Sequence, residues 1–546
     1  MKHNIKKILY WTVMIAAILG FVFQVIPAIE DFFQNSVFAI SYPYSMDYGE
    51  GPLLDQTMRL SRFENIYRST ISDPPYTIAN YPPLFPLIQV PFAWLFGPAF
   101  WYGRAISVFS VLLTALFICL TLHILTKNWI GAVIGGLLLI IFPYVQHWSL
   151  FNRIDELALV FSWAGIYLFI NGVSSEKEIN LADNHLRLIV VDVLRRKYFW
   201  IAAVFFLCAI YTRQTYAAAA PFAVFVWCAL CSPGSWKYRL IKALLLGLVV
   251  GTITLVLFGT INLLTGGGFY LNIVTANINK FNWSTVRHYG QQILNHMLPL
   301  IVISVLYLIA IIVYAVIDGL PSKKDRRQNN LIDKHQDKRS PVSSGIFVVS
   351  YLLAAVAVSV TIGKEGSNVN YLLELSAAFC LTSGAVVAYT LHFRRWYVHL
   401  PVFVIIIGVL SFQANLLTNL TRKDYTAFLK DRARTIENIA RLNQIVKDSP
   451  GIVLADEYMG LIALSGKTLY LQPFEFKQLA DAKIWSEDKL LKEITDHQFD
   501  LILWYEPPTW KEAIQSRWTA SQQALILISY KVDQKIGDVS IYRPRE

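Results

Sequence analysis

Long apolar runs separated by short polar stretches leave this chain few ways to fold. Residues 106–125, 130–143, 243–258, 298–316, 345–362 and 401–412 contain no Asp, Glu, Lys or Arg. In hydrocarbon the backbone must satisfy its own hydrogen bonds, and a helix of about 20 residues does so across a bilayer. The expected architecture is a polytopic α-helical membrane protein. Composition agrees, because only 16% of the 546 residues are charged, where a soluble chain carries about 25%. All five cysteines (Cys119, Cys208, Cys228, Cys231 and Cys380) fall in apolar runs, so no disulfide framework is expected. Cys228 and Cys231 form a C-x-x-C inside a spanning run, where buried thiols are expected and not a metal clip.

The net charge of +11 is distributed as a topology signal and not as a nucleic-acid patch. Lys2, Lys6 and Lys7 precede the first apolar run, 8–26, which reads as an anchor and not as a cleaved signal. Basic clusters recur at Arg195-Arg196-Lys197, at Lys237 and Arg239, from Lys323 to Arg339, and at Arg394-Arg395. Lysine and arginine favour the cytoplasmic side. The segment 82–97 decides the count. It is apolar but short, and it holds Pro82, Pro83, Pro86 and Pro91. If it crossed, every later basic cluster would lie outside; if it lies along the interface, all lie inside. The reading is therefore about eleven transmembrane helices plus juxtamembrane helices. The amino terminus is expected inside a cell membrane, with a first outer loop at 30–102 and the carboxy-terminal tail outside.

Two domains are expected, a membrane domain at 1–415 and a small extracytoplasmic α/β domain at 416–546. The tail has helical spacing over 424–447 and 488–496, and strand-like runs at 452–455, 468–471, 501–504, 525–530 and 539–542. It has no Gly-rich phosphate loop and no metal-ligand spacing. Residues 323–344 are polar enough to be disordered.

The most informative stretch is Tyr42-Pro43-Tyr44-Ser45-Met46-Asp47-Tyr48-Gly49-Glu50-Gly51-Pro52. Two carboxylates flank glycines that permit close backbone approach to a ligand, and Pro52 suits the first turn of a helix. A helix start also attracts phosphate or carboxylate. Taken alone, the stretch fits an acidic turn capping an interfacial helix equally well. Arg153-Ile154-Asp155-Glu156 opens a spanning run, and charge in that position lines cavities more often than it anchors. Arg213 begins another span. Asn277, Asn279, Lys280, Arg287 and His288 occupy a middle outer loop. Lys364, Asn368, Asn370, Tyr371 and Glu374 stand at the start of a later helix. Each has an ordinary reading as an interfacial anchor, which is preferred for Tyr371, Trp283 and His288 taken singly. Cations and carboxylates recurring at one depth on one face are less ordinary.

Together these motifs resemble the GT-C superfamily of membrane glycosyltransferases, with the protein O-mannosyltransferases and lipid A aminoarabinose transferases as the nearest named relatives. The resemblance rests on Asp47 and Glu50, on Asn80-Tyr81-Pro82-Pro83-Leu84, on Gly103-Arg104-Ala105-Ile106-Ser107, and on Asp155-Glu156. The Asp47-Tyr48-Gly49-Glu50-Gly51 and Asn370-Tyr371-Leu372-Leu373-Glu374 segments look like those of a large bacterial branch. The match covers roughly residues 1–415 by architecture. It departs from the mannosyltransferases in that Tyr48 and Gly49 separate the first-loop carboxylates. The resemblance implies a polyprenyl-phosphate sugar donor, inversion at the anomeric carbon and, carried over, Asp47 as the base. Glu50 would position acceptor or donor, Asp155 would be a secondary acidic residue, and Arg153 a phosphate ligand. Tyr48, Glu156, Arg213, Lys280, Lys364, Asn370, Tyr371 and Glu374 complete the expected substrate-binding set. A divalent metal is left open. The acceptor is a lipid, glycan or protein.

The chemistry suits the inventory. Transfer from a lipid phosphate needs one proton acceptor, and cations near the leaving oxygens serve in place of a general acid. A glycosidase would need two carboxylates facing across the bond. The rival reading is a transporter or flippase in which Asp155, Arg153 and Glu374 bind substrate along a pathway, but no internal repeat of the transporter kind is found. A third reading is a non-catalytic scaffold working through its tail.

Overall fold

The computed structural model describes residues 2–176, 186–277, 279–319, 341–391, 396–507 and 516–545. The basic segment 323–339 and Arg394-Arg395 lie outside the described residues. Of the stretch expected to be disordered, 341–344 are described, and they open the helix Pro341–Ser359.

Among the described residues nine helices are long and apolar enough to cross a membrane. This is an integral membrane protein. Contacts at one end of the bundle fix the number of passes. The first helix, Lys2–Ser41, ends there, because Ala39 and Tyr42 accept hydrogen bonds from Arg104. Trp101–Thr126 leaves from the same end, and Asp155–Ser174 starts there again beside Asp47. The short helix Trp129–Ile140 must therefore make the return. Likewise Lys197–Thr212 returns the chain from Ser174 to Arg213, which bonds Asp155. Counted this way the bundle has the expected eleven passes, nine long and two short. The third short apolar helix, Leu84–Phe96, starts and ends at this same end. Its Trp94 indole donates to Ser61 O (2.8 Å), and Phe92 stacks on Tyr102. It lies along the bundle end, with Leu87, Trp94, Leu95 and Phe96 exposed.

Small residues let the spans approach, as they do where lipid tails supply no hydrophobic drive. A Cβ on Gly131 would lie 2.3 Å from Gly384 O, and one on Gly384 2.5 Å from Gly131 O. That contact fastens Trp129–Ile140 against Leu373–Thr390, the almost wholly buried centre of the bundle. The five cysteines are free.

The last span runs on without a stop. Trp396–Leu420 passes through a π-helical segment, Thr421–Thr426, into Ala427–Arg434. This junction is pinned by Arg422 on Asp31 (2.6 Å) and by Tyr425 stacked on His147 (4.1 Å). Burial in that aromatic box pushes His147 down to about 3. Beyond it, β1 (Ile452–Ala455), β2 (Phe499–Tyr505), β3 (Tyr530–Ile536) and β4 (Val539–Pro544) form one sheet in the order β1-β2-β4-β3. β1 and β2 are parallel, and the other pairs are antiparallel. Two expected strands differ. Residues 525–529 belong to the helix Ala520–Ser529, because Thr519 and Gln522 form a capping box that starts a helix where an apolar run by itself is ambiguous. Residues 468–471 make only a bridge, Leu471 to Tyr76 of the first loop, with Tyr76 N bonded to Tyr470 O. The sequence reading missed β3, whose five central residues are solvent-facing and carry no burial pattern.

Candidate active site

The first loop is set by one buried carboxylate. Glu50 and Arg104 are both fully buried, and they pair through two bonds, Nε to Oε1 and Nη2 to Oε2, each 2.8 Å. Met46 N (2.6 Å) and Asn152 N (2.7 Å) donate to the same carboxylate. Arg104 spends its other donors on Ala39, Tyr42 and Tyr44 carbonyls. Burial raises the Glu50 carboxyl, but the guanidinium and the N–H donors outweigh it and hold the group below its ordinary value. Every strong acceptor site is taken, and Glu50 faces no cleft. It knots together the end of the first span, the first loop, the start of Trp101–Thr126 and the entry to Asp155–Ser174. The Gly103–Ser107 motif acquires a physical meaning here. A Cβ on Gly103 would sit 1.8 Å from Asn152 Oδ1, and Ser107 Oγ bonds Phe151 O (2.8 Å).

Above this knot Asp47 points into a cleft of about 600 Å³. Its carboxylate accepts from Arg153 Nη1 (3.2 Å) and Gly49 N (3.0 Å), and 24% of the side chain stays exposed. Burial pushes Asp47 above the ordinary carboxylate value, and Arg153 draws it back only in part. Gly49 is glycine because a Cβ would lie 1.4 Å from Arg153 Nη1. Arg153 also stands 5.3 Å over the Trp148 ring, and its Nε has no partner among the described residues.

A second pair lies deeper. Asp155 is fully buried and bonds Arg213 Nη1, Trp148 Nε1 (2.5 Å) and Asn370 Nδ2 (3.1 Å). Arg213 lies 4.4 Å over the Tyr371 ring, and its Nη2 has no partner among the described residues. Lys364, from the turn after Gly363, lines the cleft and makes no ion pair among the described residues. The same turn is tied to the middle loop by Glu365 N on Lys280 O (2.9 Å) and Asn282 N on Gly363 O (2.7 Å).

The cleft thus gathers Asp47, Tyr48, Arg153, Arg213, Lys364, Asn370 and Tyr371. Five expected residues do not line it, the first being Asp155, the fully buried partner of Arg213 behind the lining. Glu50 is the knot beneath; Glu156 and Glu374 are buried behind, in the first turns of Asp155–Ser174 and Leu373–Thr390; Lys280 is exposed at the rim, 3.9 Å from Asp481. Both Glu156 oxygens lack a partner among the described residues. Sequence reasoning missed Trp148, Glu475, Gln478 and Arg517, which line the cleft together with Asn80 of the Asn80–Leu84 motif and Gln214 beside Arg213. For the tail residues no motif could have signalled this, because their neighbours in space are about 430 positions away in sequence. Tyr48 OH donates to Glu475 (2.6 Å), Phe474 N donates to Tyr48 OH (3.2 Å), and Arg517 lies 3.8 Å over the Tyr48 ring.

A divalent metal does not fit these groups. Among the described residues no set of three or more His, Cys, Asp or Glu could hold one. Glu50, Asp47 and Asp155 are each engaged by an arginine, Arg104, Arg153 and Arg213 in turn, and Glu475 accepts from the Tyr48 hydroxyl.

No protein-family model matches the chain, and no curated protein matches it. Solved structures do. ArnT from Cupriavidus metallidurans bound to undecaprenyl phosphate is similar with a TM-score of 0.55 at 14% identity, over 95% of this chain and 97% of that one. The same protein in the apo state gives 0.55 at 13%, over 99% and 98%. The apo oligosaccharyltransferase of Archaeoglobus fulgidus gives 0.52 at 11%, over 99% of this chain and 75% of that one. Both neighbours are GT-C superfamily members, and this chain shares their fold; here a helical membrane bundle is followed by a small carboxy-terminal sheet domain.

Proposed function

We propose that this protein, with its GT-C fold, is an inverting glycosyltransferase that moves a sugar from a polyprenyl-phosphate donor to an acceptor hydroxyl on the outer face of a cell membrane. The observation that carries the reading is the contact of Asp47 with Arg153 in an open cleft at a bundle end, with Arg213 and Lys364 in the same lining. The acceptor hydroxyl attacks the anomeric carbon, and its proton passes to Asp47. The bond from that carbon to the phosphate oxygen breaks with its electron pair going to oxygen, which leaves as polyprenyl phosphate. Arg153, Arg213 and Lys364 stabilise the charge that gathers there, so no general acid is required. Arg153 Nε and Arg213 Nη2 are buried donors without partners among the described residues, and such groups are ready-made for a phosphate oxygen. As phosphate takes up Arg153, Asp47 loses its cation and becomes a stronger base. Asp155 holds Arg213 in place, and Glu50 positions the loop that carries Asp47. Substrate binding by Asn370, Tyr371 and Tyr48 follows from their place in the lining. The test is purified protein in lipid supplied with undecaprenyl-phosphate hexoses. Release of undecaprenyl phosphate that depends on acceptor, and that is lost in Asp47→Asn, supports the reading. No release with any such donor refutes it.

A further inference from the structure

The two walls of the cleft differ in charge. On the bundle side stand Arg153, Arg213 and Lys364. On the tail side the one cation among the described lining residues is Arg517, and it is already engaged, 2.7 Å from Glu457 and stacked over Tyr48. The helix Pro473–Asp481 turns one face to the cleft, carrying Phe474, Glu475 and Gln478 at positions i, i+1 and i+4. Glu475 makes no ion pair among the described residues; its recorded bond is from the Tyr48 hydroxyl. The Nε2 of Gln478 is buried and has no partner among the described residues.

From this asymmetry we propose that the tail-side wall is the acceptor subsite and that it takes an uncharged, hydroxyl-rich saccharide. The inference rests on the glycosyl-transfer reading and names its acceptor class. A sugar hydroxyl both donates and accepts. An amide that offers both functions, a carboxylate that accepts and aromatic rings between them match that need. A phosphorylated acceptor would meet Glu475 with no uncommitted cation on that wall. A peptide strand would find helix and loop there but no strand edge to pair with, because the tail residues that line the cleft lie outside β1 to β4. The geometry also orders the reaction. Donor phosphate sits against the bundle wall, the neutral acceptor sits against the tail wall, and Asp47 stands between them next to Tyr48.

The experiment uses the full-length protein in nanodiscs with undecaprenyl phosphate bound. Saturation-transfer NMR is recorded with neutral hexose and N-acetylhexosamine disaccharides, with the same disaccharides phosphorylated, and with a serine-containing neutral peptide. Neutral disaccharides are expected to bind saturably, at least tenfold tighter than either rival. Gln478→Ala and Glu475→Gln should each weaken them about tenfold, while undecaprenyl phosphate affinity stays within twofold. Glu475→Lys should shift preference toward the phosphorylated sugars. If undecaprenyl phosphate binds but neutral disaccharides do not, or if phosphorylated sugar or peptide binds better, the acceptor assignment is overturned and the donor reading stands. If undecaprenyl phosphate itself fails to bind, the transferase reading falls and the assignment falls with it.

Discussion

Asp47 and Glu50 lie three residues apart, yet they should fail in opposite ways when their charge is removed. Glu50 accepts two bonds from Arg104 and two short bonds from backbone N–H groups, all out of contact with water. In Glu50→Gln one oxygen becomes an NH₂ that faces donors, and the Arg104 charge is left buried without its counter-ion. Breaking a buried pair on one side destabilises by about 3–5 kcal/mol. At about 2 °C per kcal/mol, the lower end for larger domains, the unfolding midpoint should drop by roughly 6–10 °C. Asp47 is partly open to solvent and pairs with Arg153 at 3.2 Å, so Asp47→Asn should change stability by less than about 1 kcal/mol. The assay is thermal unfolding of detergent-purified variants, with Arg104→Met and the double variant Glu50→Gln/Arg104→Met completing a cycle. The double variant should regain most of the loss, because replacing both charges removes the stranded one. A Glu50→Gln protein that melts like wild type, or a double variant as unstable as the sum of the singles, would refute the idea that this pair is the knot of the loop.

Asp47→Asn should lower transfer by about 10²–10⁴-fold while undecaprenyl phosphate still binds, read by release of labelled lipid phosphate and by native mass spectrometry. Because the Asp47 carboxyl is raised above its ordinary value, transfer should fall on acidification through that raised value, and a rate flat down to pH 4 would contradict the base assignment. Gly49→Ala places a Cβ on Arg153 Nη1, the free end of a flexible side chain. Activity should therefore drop more than tenfold with little change in melting. Gly51→Ala meets the Gly460 backbone at 2.6 Å, which cannot swing away, so it should loosen the tail, seen as faster limited proteolysis after residue 434. Asp55, pushed up to about 6 by burial, holds its proton more tightly folded than unfolded. Its contribution to stability is thus full below about pH 4 and declines as pH rises through 6, by about 3 kcal/mol in all. The melting difference between wild type and Asp55→Asn should trace that decline, and a difference constant from pH 4 to 8 would refute it.

The bundle was legible in the sequence because hydrocarbon tolerates so few backbones. Apolar runs, basic clusters and the four prolines of 82–97 together sufficed for the count and for the helix that stays at the surface. Arg153 and Arg213 could be singled out in the sequence because charge at the head of an apolar run needs a reason, and Asp47 and the uncharged Asn370 because of the short motifs around them. The division of labour was not legible. Glu50 and Asp47 look alike in sequence, and only the convergence of Arg104, Met46 N and Asn152 N on Glu50 separates an anchor from an exposed acid. Glu156 follows Asp155 directly, yet a helix turns successive residues by about 100°, and only Asp155 meets Arg213, Trp148 and Asn370. The tail's share of the cleft was hidden for another reason. Phe474, Glu475, Gln478 and Arg517 carry no local pattern of their own, and what brings them to Tyr48 is the backbone contact of Gly51 with Gly460, a tertiary event.

The unbroken course of the last span into the tail couples the reaction chamber to its surroundings. From Tyr397 to Arg434 the chain is helical throughout, and its far portion is stapled to the first loop by Arg432 on Met46 O and by Tyr42 on Arg432 O. A span that leans to match a thicker or thinner bilayer therefore loads the contacts of Arg432 with Tyr42 and with Met46, one residue from Asp47.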